Sequence, residues 1–91
     1  MNTDDTNTHT NDTGEKFVNF IKIISRLRGP DGCPWDMKQT PQSLKTYLIE
    51  EAHELMEALE ADNPAHVREE LGDLLFQIVL LNNIYSEKNY F

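Results

Sequence analysis

The sequence predicts an all-α protein, an antiparallel helical hairpin preceded by one amphipathic helix. Apolar residues recur at spacings of three and four along three segments, the periodicity of helices that each bury a stripe. Two of those segments open on a capping residue followed by proline, Thr40-Pro41 and Asn63-Pro64, which is the chemistry of a helix start. Only Asp62-Asn63 separates the two, too short a connection for anything except an antiparallel hairpin.

Taken in order, the chain of 91 residues begins with a run from Met1 to Gly14 holding five Thr, three Asn and three Asp, with nothing apolar after Met1. Residues 1–14 are expected to form a disordered polar tail, and residues 15–91 a single small helical domain. The run has neither the basic start nor the apolar centre of a signal peptide. From Glu15 the pattern turns helical: Phe17, Phe20, Ile21, Ile24 and Leu27 make one stripe, with Lys16, Lys22 and Arg26 left to solvent. Gly29-Pro30 ends that helix, Asp31-Gly32 adds a turn, and Pro34 stiffens a loop carrying Trp35 and Asp36. Trp35 either stacks on a base or plugs the end of the bundle. Arg28 and Lys38 flank the loop, where they can meet phosphates or simply be solvated.

The second helix runs from the Thr40 cap toward Ala61, and its stripe is Leu44, Tyr47, Leu48, Ala52, Leu55 and Leu59. Glu51 falls inside that stripe, three residues after Leu48 and four before Leu55, and Glu54 lies one turn on. The third helix continues from Asn63 through Leu71, Leu74, Leu75, Ile78, Leu81 and Ile84, and between Leu74 and Leu81 only Gln77 is polar. A segment apolar nearly all round is expected to be buried, which brings Glu70 and Asp73, at i and i+3 on one face, close to the core. Gly72 costs the helix roughly 1 kcal/mol relative to Ala, so a close helix approach is expected beside Asp73. Reflecting residue numbers about the turn sets Glu51 opposite Leu74 and Glu54 opposite Leu71. Glu51, Glu54, Glu70 and Asp73 then meet at one height.

Four carboxylates at the edge of a core cannot all stay ionised without a partner, because desolvation and mutual repulsion both oppose it. From Glu50 to Asp73 there are nine acids and one Lys or Arg, Arg68, so these helices cannot neutralise themselves with ion pairs. A bound cation can. An all-oxygen site favours a hard ion, Mg2+ or Mn2+, over zinc, and Mg2+ commonly takes its remaining ligands from substrate phosphates. Glu50 is about 100° round the helix from Glu51, and reads as a group behind the ligands, a base that activates water, or ordinary surface. Glu57, Glu60 and Glu69 read as a solvated face. His53 and Cys33 lack zinc-ligand spacing, and His53 reads as helix surface.

The net charge of −8, three units of it from the first fourteen residues, argues against nucleic acid or an anionic membrane as partner. No stretch approaches the ~20 apolar residues of a membrane span. Cys33 stands alone, so no internal disulfide is possible and the reducing cytoplasm is the expected location.

The pattern Glu50-Glu51-x-x-Glu54 followed by Glu70-x-x-Asp73, with Leu27-Arg-Gly-Pro-Asp-Gly-Cys-Pro-Trp-Asp36 and Gln39-Thr40 upstream, resembles the MazG family of all-α nucleoside triphosphate pyrophosphohydrolases. The likeness runs from about Phe17 to the end of the chain. It implies part of a four-helix-bundle-like fold completed by oligomerisation, as a homodimer or higher assembly. It also implies an enzyme that binds Mg2+ through Glu51, Glu54, Glu70 and Asp73 and splits a nucleoside triphosphate into the monophosphate and pyrophosphate. The same resemblance turns the loop with Arg28, Trp35, Asp36 and Lys38 toward the nucleotide, and leaves Glu50 or one of the ligands to deprotonate the attacking water. The family continues past the position of Tyr90-Phe91 into a helical region with Lys and Arg, so the domain is expected to be incomplete at its C-terminus. Some members carry two copies of the domain, and the Gly-Cys-Pro-Trp-Asp loop resembles the first. Two other functions fit the residues: a non-catalytic helical dimerisation module that binds a cation for stability, and an acidic hairpin that recognises a basic protein.

Overall fold

In a computed structural model, the backbone is described for residues 3–91 and the side chains from Asp12 onward. Four helices follow one another: α1 (Thr3–Leu27), α2 (Pro34–Lys38), α3 (Pro41–Glu60) and α4 (Pro64–Glu87). The all-α expectation and the antiparallel hairpin both hold, with α3 packed along α4 and α1 laid against α4.

The caps explain where the hairpin begins and turns. At the start of α3 the Thr40 hydroxyl accepts from the Ser43 backbone N–H at 3.2 Å, while the Ser43 hydroxyl accepts from the Thr40 N–H at 2.9 Å. This reciprocal box satisfies two donors that a helix start would otherwise leave open. At the turn, Asp62 takes a left-handed φ of 53°, and its N–H donates to the Leu59 carbonyl while that of Asn63 donates to Ala58. That is the Schellman arrangement, in which a residue of positive φ closes the last carbonyls. Asn63 then caps α4, its side chain accepting from the His66 N–H. A second Schellman closure ends α4 at Asn89 (φ 62°), with the Tyr90 ring 5.7 Å from that of Tyr85.

The core is small. Ile24 from α1, Leu44 from α3 and Val79, Leu80 and Ile84 from α4 are buried together, with Phe20, Tyr47, Phe76 and Leu81 against them. Four expectations are corrected by this packing. Leu59 is exposed and Ala58 buried in its place, because Ala58 follows Glu51 by two full turns and keeps the phase of the stripe. α4 is buried on one face only: Leu71, Leu75 and Ile78 face outward, the last 50% exposed, because α1 and α3 cover a single side of it. Gly72 has open space, with nothing within 4 Å of where a Cβ would stand, so no described residue approaches α4 closely there. The segment carrying Trp35 and Asp36 is the short helix α2 rather than a loop.

Of the run expected as a tail, Met1 and Asn2 lie outside the described residues, as do the side chains before Asp12. From Thr3 the backbone belongs to α1, so the helix start expected at Glu15 moves toward the N-terminus. Lys16 and Asp12 pair at 3.0 Å across Gly14, an i,i+4 contact that supports the helix through that residue.

Candidate metal centre

Glu51 from α3 and Glu70 and Asp73 from α4 each offer a carboxylate oxygen, and these three oxygens lie within 4.8 Å of one another. Helix phase does this. Glu51 shares the stripe of Leu44 and Ala58, and Glu70 and Asp73 share the stripe of Leu80 and Ile84, so packing the aliphatic residues carries the acids together. Glu70 is buried, Glu51 half-buried and Asp73 exposed, so the group opens from the hairpin seam to solvent. Glu54 is exposed beside them, its charge felt by both Glu51 and Glu70.

The electrostatics are those of an acid cluster short of counter-charge. Burial, then the charges of Glu54, Asp73 and Glu70, push the Glu51 carboxyl above its ordinary value. Glu70 is raised in the same direction, first by burial and then by sharing a hydrogen bond with Glu54, with the Glu54 and Asp73 charges adding to it. His66 opposes this, its Nε2 lying 3.2 Å from Glu70 Oε1 one turn earlier on α4. Among the described residues, one oxygen of Glu51 and one of Glu70 are buried with no hydrogen-bond partner. Buried polar atoms are normally satisfied, so two acceptors orphaned in one seam fit a cation better than they fit a folded core. The donor set is all oxygen and all carboxylate, the chemistry of Mg2+ or Mn2+.

Glu50 is exposed and outside the group of three. Trp35 packs edge-on against Tyr47 with ring centroids 5.4 Å apart, and Tyr47 precedes Glu51 by one turn of α3. The indole is 40% exposed. Asp36 is 4% exposed, with Oδ1 lacking a partner among the described residues. Lys38 is exposed at the end of α2.

Arg28, read from sequence as meeting phosphates or solvent, has partners within the protein. Nη1 donates to the carbonyls of Asp36, Met37 and Gln39 at 2.8, 3.1 and 2.9 Å, closing the C-terminal end of α2. Nε and Nη2 form a two-pronged ion pair with Glu87 at 3.0 and 2.7 Å. The guanidinium thus ties α2, and Trp35 with it, to the end of α4. Gln39 adds a strut, its side chain donating to the Trp35 carbonyl and accepting from Ser43 Oγ.

His66 contacts Glu70, Tyr47 contacts Trp35 and Glu87 pairs with Arg28, while Gln77 shares the helix phase of Glu70, and the sequence alone assigns none of the four to the site. His66 is findable from its i,i+4 spacing to Glu70, and Gln77 from being the lone polar residue of an apolar run. The Arg28–Glu87 pair joins residues 59 apart and leaves no local trace.

Residues 39–91 match the MazG nucleotide pyrophosphohydrolase domain. Over 80 residues the chain is 46% identical to the nucleoside triphosphate pyrophosphohydrolase/pyrophosphatase MazG of Thermotoga maritima, a match covering 88% of this chain and 31% of that protein. Over 73 residues it is 40% identical to the nucleoside triphosphate pyrophosphohydrolase of Escherichia coli, covering 79% and 28%. Over 76 residues it is 53% identical to the uncharacterized protein YabN of Bacillus subtilis, covering 84% and 16%. The chain spans less than a third of the length of these relatives. The matched stretch contains both acidic helix turns, and with that match the chain belongs to the MazG family of nucleotide pyrophosphohydrolases.

Proposed function

We propose that this domain hydrolyses a nucleoside triphosphate to the monophosphate and pyrophosphate, using Mg2+, with Mn2+ as a substitute, held by Glu51, Glu54, Glu70 and Asp73. The observation that carries the reading is the meeting of three carboxylate oxygens within 4.8 Å, with orphaned buried oxygens on Glu51 and Glu70. When bound, the cation supplies charge neutralisation for the triphosphate and orientation for in-line attack of water at the α-phosphorus. The residues of the chain do the positioning. Glu51 and Glu70 anchor from the seam, while Asp73 and Glu54 complete the set at its open side. Trp35, backed by Tyr47, offers a face on which a base can stack, and Arg28 fixes that face in place. Lys38 serves as a further substrate contact on α2, with the buried Asp36 behind it, and Glu50 as the group that takes the proton of the attacking water.

The assembly is a homodimer or higher oligomer that covers Leu71, Leu75 and Ile78. The net charge of −8 disfavours nucleic acid and anionic membranes as partners. No helix among the described residues is long and apolar enough to cross a membrane. With a single cysteine, a reducing cytoplasm suits the chain.

The test is hydrolysis of a panel of nucleoside triphosphates with and without Mg2+, with pyrophosphate scored separately from orthophosphate. Expected is Mg2+-dependent pyrophosphate release that is lost in Glu54→Gln. Orthophosphate release, or release indifferent to Mg2+, contradicts the proposal. A second reading rests on the outward apolar face of α4: a non-catalytic dimerisation module stabilised by its cation. Metal binding and self-association without any hydrolysis is its signature.

A further inference from the structure

Gln77 stands at a junction on α4. Glu70, Asp73, Gln77, Leu80 and Ile84 fall within about 80° of arc on an ideal helix, acids below, aliphatic core above, and the amide between them. Gln77 is 7% exposed and its Oε1 is buried without a hydrogen-bond partner among the described residues. An amide in that position is unfavourable unless a donor reaches it, and an apolar residue of similar volume would fill the space at no such cost. Side chains on a helix lean toward its N-terminus, so Gln77 leans onto the turn that carries Asp73 and Glu70. It shares the phase of Glu70, two turns away. Glu51 Oε2 and Glu70 Oε2 are orphaned as well, and of the two neutral amides orphaned on α4, Gln77 and Asn83, Gln77 is the one on the arc of Glu70 and Asp73, Asn83 falling about 60° outside it.

We infer that Gln77 is a positioning residue of the metal centre, its buried carboxamide oxygen accepting a hydrogen bond from the hydration shell of the cation held by Glu51, Glu70 and Asp73. The inference rests on the cation reading proposed above. A hard ion held by a few carboxylates keeps several waters, and those waters need acceptors in a fixed direction. The carboxylates can serve as ligands, while a neutral oxygen one turn deeper orients the shell without adding charge to a crowded site. This also gives a reason for a polar residue in the otherwise apolar run from Leu74 to Leu81.

The test is Mn2+ binding to the full chain, read from the electron paramagnetic resonance signal of the free ion, together with Tm in the absence of metal. The variants are Glu51→Gln, Gln77→Leu, Gln77→Met and Gln77→Glu. Expected is a Kd raised about 10-fold or more in Gln77→Leu and Gln77→Met, as for other groups that hydrogen-bond to a metal site. Binding in Gln77→Glu should be at least as tight as in the parent. Metal-free Tm should run the other way, highest for Leu or Met and lowest for Glu. A residue that only fills space would show Gln77→Glu as the poorest binder, and that order overturns the inference, as does unaltered Kd in both apolar variants. If Gln77→Leu fails to fold, Gln77→Met carries the comparison. Absence of Mn2+ binding by the parent, or binding untouched by Glu51→Gln, removes the metal reading itself and the inference with it.

Discussion

Glu51 shows how much a single position can reveal. Its place among Leu44, Leu48 and Leu55 was legible as a carboxylate on an apolar stripe, and the structure sets it half-buried with one oxygen unpartnered among the described residues. Removing an unpaired, partly desolvated charge relieves the fold, so Glu51→Leu is expected to raise the metal-free Tm by several degrees. Differential scanning calorimetry in chelator checks this. The pH dependence has the same origin. Glu51 and Glu70 are both raised above the ordinary 4.5, so the folded chain binds protons that the unfolded chain has already released. Their contribution to stability is therefore fully present below that value and is lost as pH rises through the raised folded values. A metal-free melting series from pH 4 upward should show Tm falling across this window, and the fall should be smaller in Glu51→Gln. The roles of Arg28 and Gly72 were less legible. A lone Arg beside a Gly-Pro turn reads as a phosphate contact or a solvated base, and only the fold reveals that Glu87 and three carbonyls stand around it.

At the scale of elements, the starts of α3 and α4 were the most readable part of the chain, because Thr40-Pro41 and Asn63-Pro64 act through local chemistry that tertiary contacts do not override. Which faces are buried was less readable, since periodicity identifies a stripe but not how many neighbours cover it. That is why Ala58 and the outward face of α4 departed from expectation. Gly32 is a case where backbone geometry decides. A Cβ there would sit 2.1 Å from the Leu27 carbonyl oxygen, so Gly32→Ala must push α2 away from the end of α1. The expected loss is about 1–3 kcal/mol in denaturant melts, together with a change in Trp35 fluorescence as its packing on Tyr47 loosens. Gly72 behaves oppositely. With open space around it, Gly72→Ala should stabilise α4 by about 0.5–1 kcal/mol in urea titrations.

At the scale of the whole molecule, the radius of gyration of 15.8 Å exceeds the value of about 12 Å expected for a compact chain of this length. The helices extend without enough neighbours, and Leu71, Leu75 and Ile78 show where one is wanting. Sedimentation should find the chain associated at micromolar concentration and Leu75→Glu/Ile78→Glu monomeric, and a monomeric parent would contradict the oligomer. The acidic group is on the hairpin seam, so its geometry is set within a single chain.

The proposed chemistry and the proposed role of Gln77 both rest on a divalent cation held in the seam of α3 and α4. It is tested most directly by the Tm of the chain near neutral pH as Mg2+ is added, beside Glu51→Gln. Binding to the folded state alone should raise the parent Tm in a saturable way, on the order of 10 °C at about a hundredfold excess over Kd, and leave the variant unmoved. A parent Tm indifferent to Mg2+ and no lower than that of Glu51→Gln would mean that these carboxylates are a solvated face and not a metal centre.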